Sequence, residues 1–188
     1  MNQGKVTLVG AGPGDPELLT LKALKAIQQA TVLFVDDLVN DEIVAFAAPG
    51  ARVVYVGKRG GCKSTPQTFI EKLMLTAARE GENVVRLKGG DPFIFGRGGE
   101  ESQTLAKAGI PFRIVPGITS GVGGLAYAGI PATHRDTNHS VIFLTGHDAT
   151  GKMPANVNWQ AVATAANKAT GTRMTDRRMV VRRCEPIS

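Results

Sequence analysis

The residues best placed to do chemistry lie in one glycine-rich stretch, Lys88-Gly89-Gly90-Asp91-Pro92-Phe93-Ile94-Phe95-Gly96-Arg97-Gly98-Gly99-Glu100-Glu101. Five of its glycines fall within 11 positions, directly behind the β-branched run Asn83–Leu87. Glycines at such a place let backbone N–H and C=O groups approach a ligand closely. In open α/β sheets ligands bind outside the carboxyl ends of the strands. Arg97 is offered by this loop and Glu100 follows three residues on. Phe93, Ile94 and Phe95 are expected to anchor the loop to the core.

Four other constellations invite a chemical reading. The run Gly10-Ala11-Gly12-Pro13-Gly14-Asp15 resembles a dinucleotide fingerprint but has Asp15 where the third glycine is needed. Pro13 removes a backbone N–H and the Asp15 carboxylate would repel phosphate. The loop therefore suits close backbone approach without an anion, or is simply a tight turn. Gly57-Lys58-Arg59-Gly60-Gly61-Cys62-Lys63-Ser64 has Cys62 where a phosphate-binding loop needs glycine. Its cations suit carboxylates, or form an ordinary solvated basic loop. Asp36 and Asp37 close a strand, which puts a carboxylate at a strand's carboxyl end. His134, Arg135, Asp136 and His139 form a polar run, but the spacing of His134, His139 and His147 suits no regular element, so no metal is expected. Arg135 reads as a second anion anchor.

These groups need elements to hold them. Lys5–Val9, Thr31–Val35, Arg52–Val56, Asn83–Leu87 and Phe112–Val115 read as strands. Leu18–Ala30, Asp41–Ala48, a segment opened by Thr65-Pro66, and Glu100–Ala108 read as helices between them. Leu18, Leu21, Leu24 and Ile27 are expected on the core face of the first helix. The alternation predicts an α/β fold with a largely parallel sheet. The pattern restarts at Pro116-Gly117-Ile118-Thr119-Ser120, followed by a small-residue helix over 121–128, a strand over Ser140–Thr145 and a helix over Trp159–Ala166. Three segments follow: an α/β domain over 1–117, a partial second α/β domain over 118–166, and a basic tail over 167–188.

Composition narrows the partners. The 188 residues are 43% hydrophobic and 20% charged, which are globular values, and no apolar run reaches the ~20 residues of a membrane span. Met1 to Lys5 leads straight into a strand, so no secretory leader is read. Cys62 and Cys184 form no metal or disulfide pattern, and a reducing cytoplasm is expected. Net charge is +6, but residues 168–188 hold six basic residues against two acidic ones, leaving the body near +2. With aromatics at 5%, a nucleic-acid partner is not expected.

The chain resembles the tetrapyrrole methylase family. The matching runs are Val6–Pro16, Asp36–Val39, Val56–Arg59, Val84–Glu101, Val115–Ser120, Ala126–Pro131 and Thr133–Arg135. The resemblance implies a two-domain α/β architecture with ligands in a cleft and S-adenosylmethionine as cofactor. It implies C-methylation of the tetrapyrrole uroporphyrinogen III to precorrin-2, in sirohaem or cobalamin synthesis. It implies that Pro13, Gly89, Gly90, Asp91, Ile94, Thr119 and Ser120 hold the cofactor. Asp36 matches a proton acceptor and Lys58 a proton donor; Arg97, Glu100 and Arg135 match positions that bind substrate or remove a proton. A homodimer is implied for full-length members.

Two departures stand against that pattern. Val35 replaces a common tyrosine. After Ala166 the sequence leaves the family's expected hydrophobic strand, and Met174 lies in a different context from the cofactor-contacting methionine there. The tail reads as a truncation or a shifted reading frame that removes much of the dimer surface. The competing readings are a truncated non-catalytic product, a sister corrinoid-precursor methyltransferase, and an RNA-binding module that rests on net charge alone.

Overall fold

The computed structural model describes residues 3–57, 65–136, 139–146 and 151–170. Five strands form the sheet: β1 (Lys5–Gly10), β2 (Val32–Val35), β3 (Arg52–Tyr55), β4 (Asn83–Lys88) and β5 (Phe112–Val115). Every pairing is parallel, in the order β3-β2-β4-β1-β5. The helices are α1 (Leu21–Gln28), α2 (Asp41–Val44), α3 (Gln67–Arg79), α4 (Gly98–Lys107), α5 (Ser120–Tyr127) and α6 (Trp159–Thr170). The α/β class expected from alternation is the observed one.

The central strands β1, β2 and β4 are buried on both faces, as covered parallel strands must be. Alternating side chains divide the core in two. Val9, Leu33, Val35, Val85, Leu87 and Val115 pack with α1 and α2, through Ala23, Ala26, Ile27, Ile43 and Val44. Val6, Leu8, Val32, Phe34 and Val84 pack with α3 and α4, through Ile70, Met74, Ala77, Ala78 and Leu105. The chain steps one way across the sheet from β1 to β3 and back the other way through β4 to β5. Helices accordingly cover opposite faces on the two passes. The chain after β4 therefore passes to one face while the chain after β1 and β2 passes to the other, so the topological switch point lies at the carboxyl edge between β4 and these neighbours.

Local chemistry corrects several boundaries. The helix expected over Leu18–Ala30 is a 3₁₀ turn, Pro16–Leu18, followed by α1. Asp15 caps the turn by accepting from the Glu17 N–H at 2.8 Å, and Thr20 caps α1 by accepting from the Ala23 N–H at 3.1 Å. This break rotates the helix, so Ala23, Ala26 and Ile27 face the core and Leu21 is 76% exposed. The helix expected over Asp41–Ala48 stops at Val44, and the chain tightens through i→i−3 bonds from Phe46 to Ile43 (3.2 Å) and Ala47 to Val44 (3.0 Å). Pro49 disfavours helical backbone at Ala48.

The chain divides into two compact units, 1–120 and 121–188. In the second, Phe143 lies against Gly121. The strand expected over Ser140–Thr145 does not form, and Val141, Ile142 and Phe143 are exposed. A strand needs a ladder for its N–H and C=O groups, and among the described residues none runs beside this segment. The helix expected to end at Ala166 runs to Thr170. The tail from 171, Met174 included, lies outside the described residues.

Candidate functional site

Three adjacent strands deliver three loops to one edge. In the register, Gly10 pairs Lys88 and Val9 pairs Val115, so the loops after β1, β4 and β5 start side by side. Backbone bonds then lock the first two together: Gly12 N–H donates to Gly90 O at 3.1 Å and Gly90 N–H donates to Gly12 O at 2.7 Å. Ala11 N–H donates to Lys88 O at 2.8 Å. Two of the first loop's donors, Ala11 and Gly12 N–H, are thus engaged and Pro13 has none, which agrees with a loop unsuited to phosphate. Gly10, Gly90 and Gly117 meet backbone to backbone. A Cβ on Gly117 would collide with the Gly90 carbonyl and stand 2.8 Å from Gly10 Cα. Gly117→Ala is therefore expected to spread these loops and cost about 1–3 kcal/mol, read as a lowered Tm.

Asp91 ties the third loop in. Its Oδ1 accepts from Phe93 N–H at 2.8 Å and its Oδ2 from Gly117 N–H at 3.0 Å. Pro13, Gly89, Gly90, Asp91, Ile94 and Thr119 all lie partly exposed on this edge, and Thr119 Cα would be 3.6 Å from a Cβ on Gly90. Ser120 follows at the start of α5, exposed. The set is backbone-rich, carries one carboxylate and no cation. Such a lining fits an adenosyl amino acid with a positive sulfonium.

The loop after β4 is not anchored by aromatics. Phe93 and Phe95 are 54% and 63% exposed. It is closed instead through backbone, by Gly98 N–H donating to Pro92 O at 2.9 Å, with Pro92 and Gly98 buried. Phe95 (φ 53°) and Arg97 (φ 58°) both hold left-handed backbone. For non-glycine residues that costs of order 1 kcal/mol each, and such strain clusters at functional loops. Arg97 then forms a two-point pair with Glu100: Nε to Oε1 at 2.9 Å and Nη2 to Oε2 at 2.6 Å. Each partner's bond favours the other's charged form, raising the Arg97 pKa and lowering that of Glu100. Both side chains are more than half exposed, so solvent keeps the pair weak and exchangeable.

Beneath this surface lies a charge cluster that sequence reading missed. Arg86 and Lys88 alternate on one face of central strand β4, each 2% exposed, and Glu101 on α4 is 0% exposed. Glu101 Oε1 accepts from Arg86 Nε at 3.0 Å, Lys88 Nζ at 3.2 Å and Gln67 Nε2 at 3.1 Å. Its Oε2 has no hydrogen-bond partner among the described residues. Arg86 Nη1 donates to Phe34 O and Leu87 O, both at 3.4 Å, and its Nη2 stands 3.7 Å from Asp36 Oδ1. Burial, then repulsion from Arg86, lowers the Lys88 pKa, although Glu101 and Asp36 pull the other way. The signal was present in Val84-Val85-Arg86-Leu87-Lys88: two cations at alternate positions of an apolar strand require a buried counter-ion.

Asp36 ends β2 with its side chain one-third exposed, and its N–H donates to Leu87 O at 3.0 Å. It does not cap α2; Asn40 does, accepting from Glu42 N–H at 3.0 Å. Arg135 lies exposed in a turn of the second unit, where His134 Nδ1 accepts from Asp136 N–H at 3.2 Å. Lys58, Arg59, Cys62 and Lys63 lie outside the described residues, as do His147 and Cys184. Among the described residues no group of three His, Cys, Asp or Glu could hold a metal ion. No helix of the described residues is long and apolar enough to cross a membrane.

Residues 5–179 match the family Tetrapyrrole (Corrin/Porphyrin) Methylases. The chain belongs to this family. A uroporphyrinogen-III C-methyltransferase of Sinorhizobium sp is 57% identical over 166 residues, covering 88% of this chain and 59% of the relative. One of Bacillus subtilis is 53% identical over 161 residues, covering 86% of this chain and 62% of the relative. The methylase chain thus spans about 60% of the length of these two relatives. A Thermus thermophilus uroporphyrin-III C-methyl transferase, solved with S-adenosyl homocysteine, superposes with a TM-score of 0.67 at 45% identity. It covers 80% of this chain and 59% of its own. A cobalt precorrin-4 methyltransferase superposes with a TM-score of 0.73 at 35% identity, covering 86% of this chain and 65% of its own.

Proposed function

We propose that this chain carries S-adenosylmethionine-dependent C-methylation of uroporphyrinogen III toward precorrin-2. The observation that carries the reading is the edge where the loops after β1, β4 and β5 meet, lined by Pro13, Gly89, Gly90, Asp91, Ile94 and Thr119, a set rich in backbone and without a cation. The relatives named for this reaction, and the S-adenosyl homocysteine found with one of them, support it. Pro13, Gly89, Gly90, Ile94, Thr119 and Ser120 hold the cofactor, with Asp91 fixing the loops that present them. Bound there, S-adenosylmethionine supplies an electrophilic methyl group.

The protein's part is positioning and charge. Arg97 exchanges Glu100 for a substrate carboxylate, and Arg135 supplies a second anchor; guanidinium forks suit such groups. The freed Glu100 is then available to take a proton from the macrocycle. The methylated pyrrole carbon becomes quaternary and carries no proton, so Asp36 accepts the proton that the macrocycle loses elsewhere, and Lys58 is its donor counterpart. The reading includes a reducing cytoplasm as the setting, no nucleic-acid partner, and the homodimer implied for full-length members. The domain limits 1–117, 118–166 and 167–188 belong to the same reading.

Calorimetric titration with S-adenosylhomocysteine, beside methyl transfer to uroporphyrinogen III, tests it. Micromolar binding with turnover is expected; absence of binding sinks it. Binding without turnover favours a second reading, a non-catalytic cofactor binder, for which the exposed apolar residues Val141, Ile142 and Phe143 speak. Arg97→Ala is expected to raise KM for the tetrapyrrole roughly 10- to 100-fold, the equivalent of about 1.5–3 kcal/mol. Its S-adenosylhomocysteine affinity should stay within about threefold of wild type. Equal losses of both would remove Arg97 from the substrate side.

A further inference from the structure

We propose that Glu101 is a positioning residue for Asp36, acting through the guanidinium of Arg86. The proposal rests on the reading of Asp36 as proton acceptor, and adds what holds that carboxylate in place.

A fully buried carboxylate on a helix that faces an apolar sheet is costly unless something uses it. Packing alone would be served by leucine, as it is by Leu105 one turn later on α4. Three donors from two elements, Arg86 and Lys88 of β4 and Gln67 of α3, converge on one oxygen of Glu101. That convergence fixes Glu101, and Glu101 fixes the Nε edge of Arg86. The guanidinium is planar and rigid, so anchoring one edge aims the other. The aimed end, Nη2, points to Asp36 Oδ1 at 3.7 Å. A third tie completes the frame. Leu87 O accepts from both Arg86 Nη1 at 3.4 Å and the Asp36 N–H at 3.0 Å. Backbone and side chain of Asp36 are thus referred to the same guanidinium.

Charge counting leads to the same place. Two buried cations face one buried anion, and the second anion is Asp36, which alone of the four reaches solvent. Among the described residues the four charges sum to zero with Asp36 as a carboxylate, the form a proton acceptor needs.

One test needs no turnover. In the ¹⁵N-labelled full chain, the Arg86 Nε–H resonance reports on the shared guanidinium. Glu101→Gln and Asp36→Asn should each shift it and shorten its protection from solvent exchange. A response to Glu101→Gln alone would overturn the bridge. The second test is kinetic. Glu101→Gln should lower kcat about 10²-fold through misplacement of the reacting group, with KM and S-adenosylhomocysteine affinity little changed. In the Asp36→Asn background the same change should cost nothing further, because its effect passes through Asp36. Additive losses, or wild-type kcat in Glu101→Gln, would overturn the proposal. If Glu101→Gln does not fold, Arg86→Lys keeps the charge but cannot span two carboxylates, and the same non-additivity is expected. Failure of the underlying reading looks different: Asp36→Asn alone would run at the wild-type rate, with the resonance results unchanged.

Discussion

Asp36→Asn is expected to lower methyl transfer by about 10²–10⁴-fold, the span that a positioned acid–base group contributes, with Tm within a few degrees of wild type. The change keeps the shape of the side chain and removes its charge and basicity. Its structural duties are small. Asn40 rather than Asp36 caps α2, and the Asp36 side chain is one-third exposed at the end of β2. Among the described residues the partner it would leave is Arg86 Nη2 at 3.7 Å, and Arg86 keeps Glu101 at 3.0 Å. A large rate loss with a small stability loss therefore separates a chemical role from a structural one. Turnover at the wild-type rate would return Asp36 to the rank of a turn residue. A collapse of Tm would show that the Arg86 contact carries more of the fold than its distance implies.

The legibility of this chain follows from where local rules act alone. Strands β1, β2 and β4 were readable because parallel strands buried on both faces need continuous apolar runs, and Val32-Leu33-Phe34-Val35 and Val84-Val85 are such runs. The glycine-rich loop after β4 was readable as a ligand loop because glycine is expensive unless backbone approach requires it. What held that loop was not. Three apolar side chains suggested burial, but closure came from Gly98 N–H to Pro92 O and from the Asp91 carboxylate, and the aromatics point outward. The core face of α1 was read only in part: Ile27 is fully buried as expected, but Ala23 and Ala26 share its face, and Leu21 sits exposed in the first turn after the Thr20 cap. The segment Ser140–Thr145 shows the limit most clearly. Its composition is that of a strand, but a strand is a property of a pair, and composition says nothing about the partner.

The same limit explains why Glu101 escaped notice while its neighbour Glu100 did not. Adjacent positions on a helix face directions about 100° apart. Glu100 reaches the surface and Arg97; Glu101 enters the core and meets two cations on β4. From that arrangement a contrast in stability follows. Glu101→Ala leaves Arg86 and Lys88 buried without their shared counter-ion and is expected to cost about 3–5 kcal/mol, roughly 10 °C or more in Tm for a chain of this length. Lys88→Met, at a site just as buried, is expected to leave stability equal to wild type or above it. It removes an ammonium whose burial outweighs its attractions, keeps the volume of the stem, and leaves Glu101 Oε1 with Arg86 and Gln67. The direction of the Lys88 pKa carries this claim: burial and Arg86 together outweigh the attraction of Glu101 and Asp36, so the charged amine is a net cost to the fold. The sign can be read against pH. A lysine whose folded pKa lies below its unfolded value, 10.5, binds fewer protons in the native state between those two values. Stability therefore rises with pH across that window as the cost is released. Melts of wild type and Lys88→Met from neutral pH to about 10.5 should converge toward the alkaline end, with wild type gaining on the variant. A wild-type advantage at neutral pH that shrinks as pH rises would mean that the Lys88–Glu101 pair is net stabilising, and that the ammonium belongs in the core on its own account.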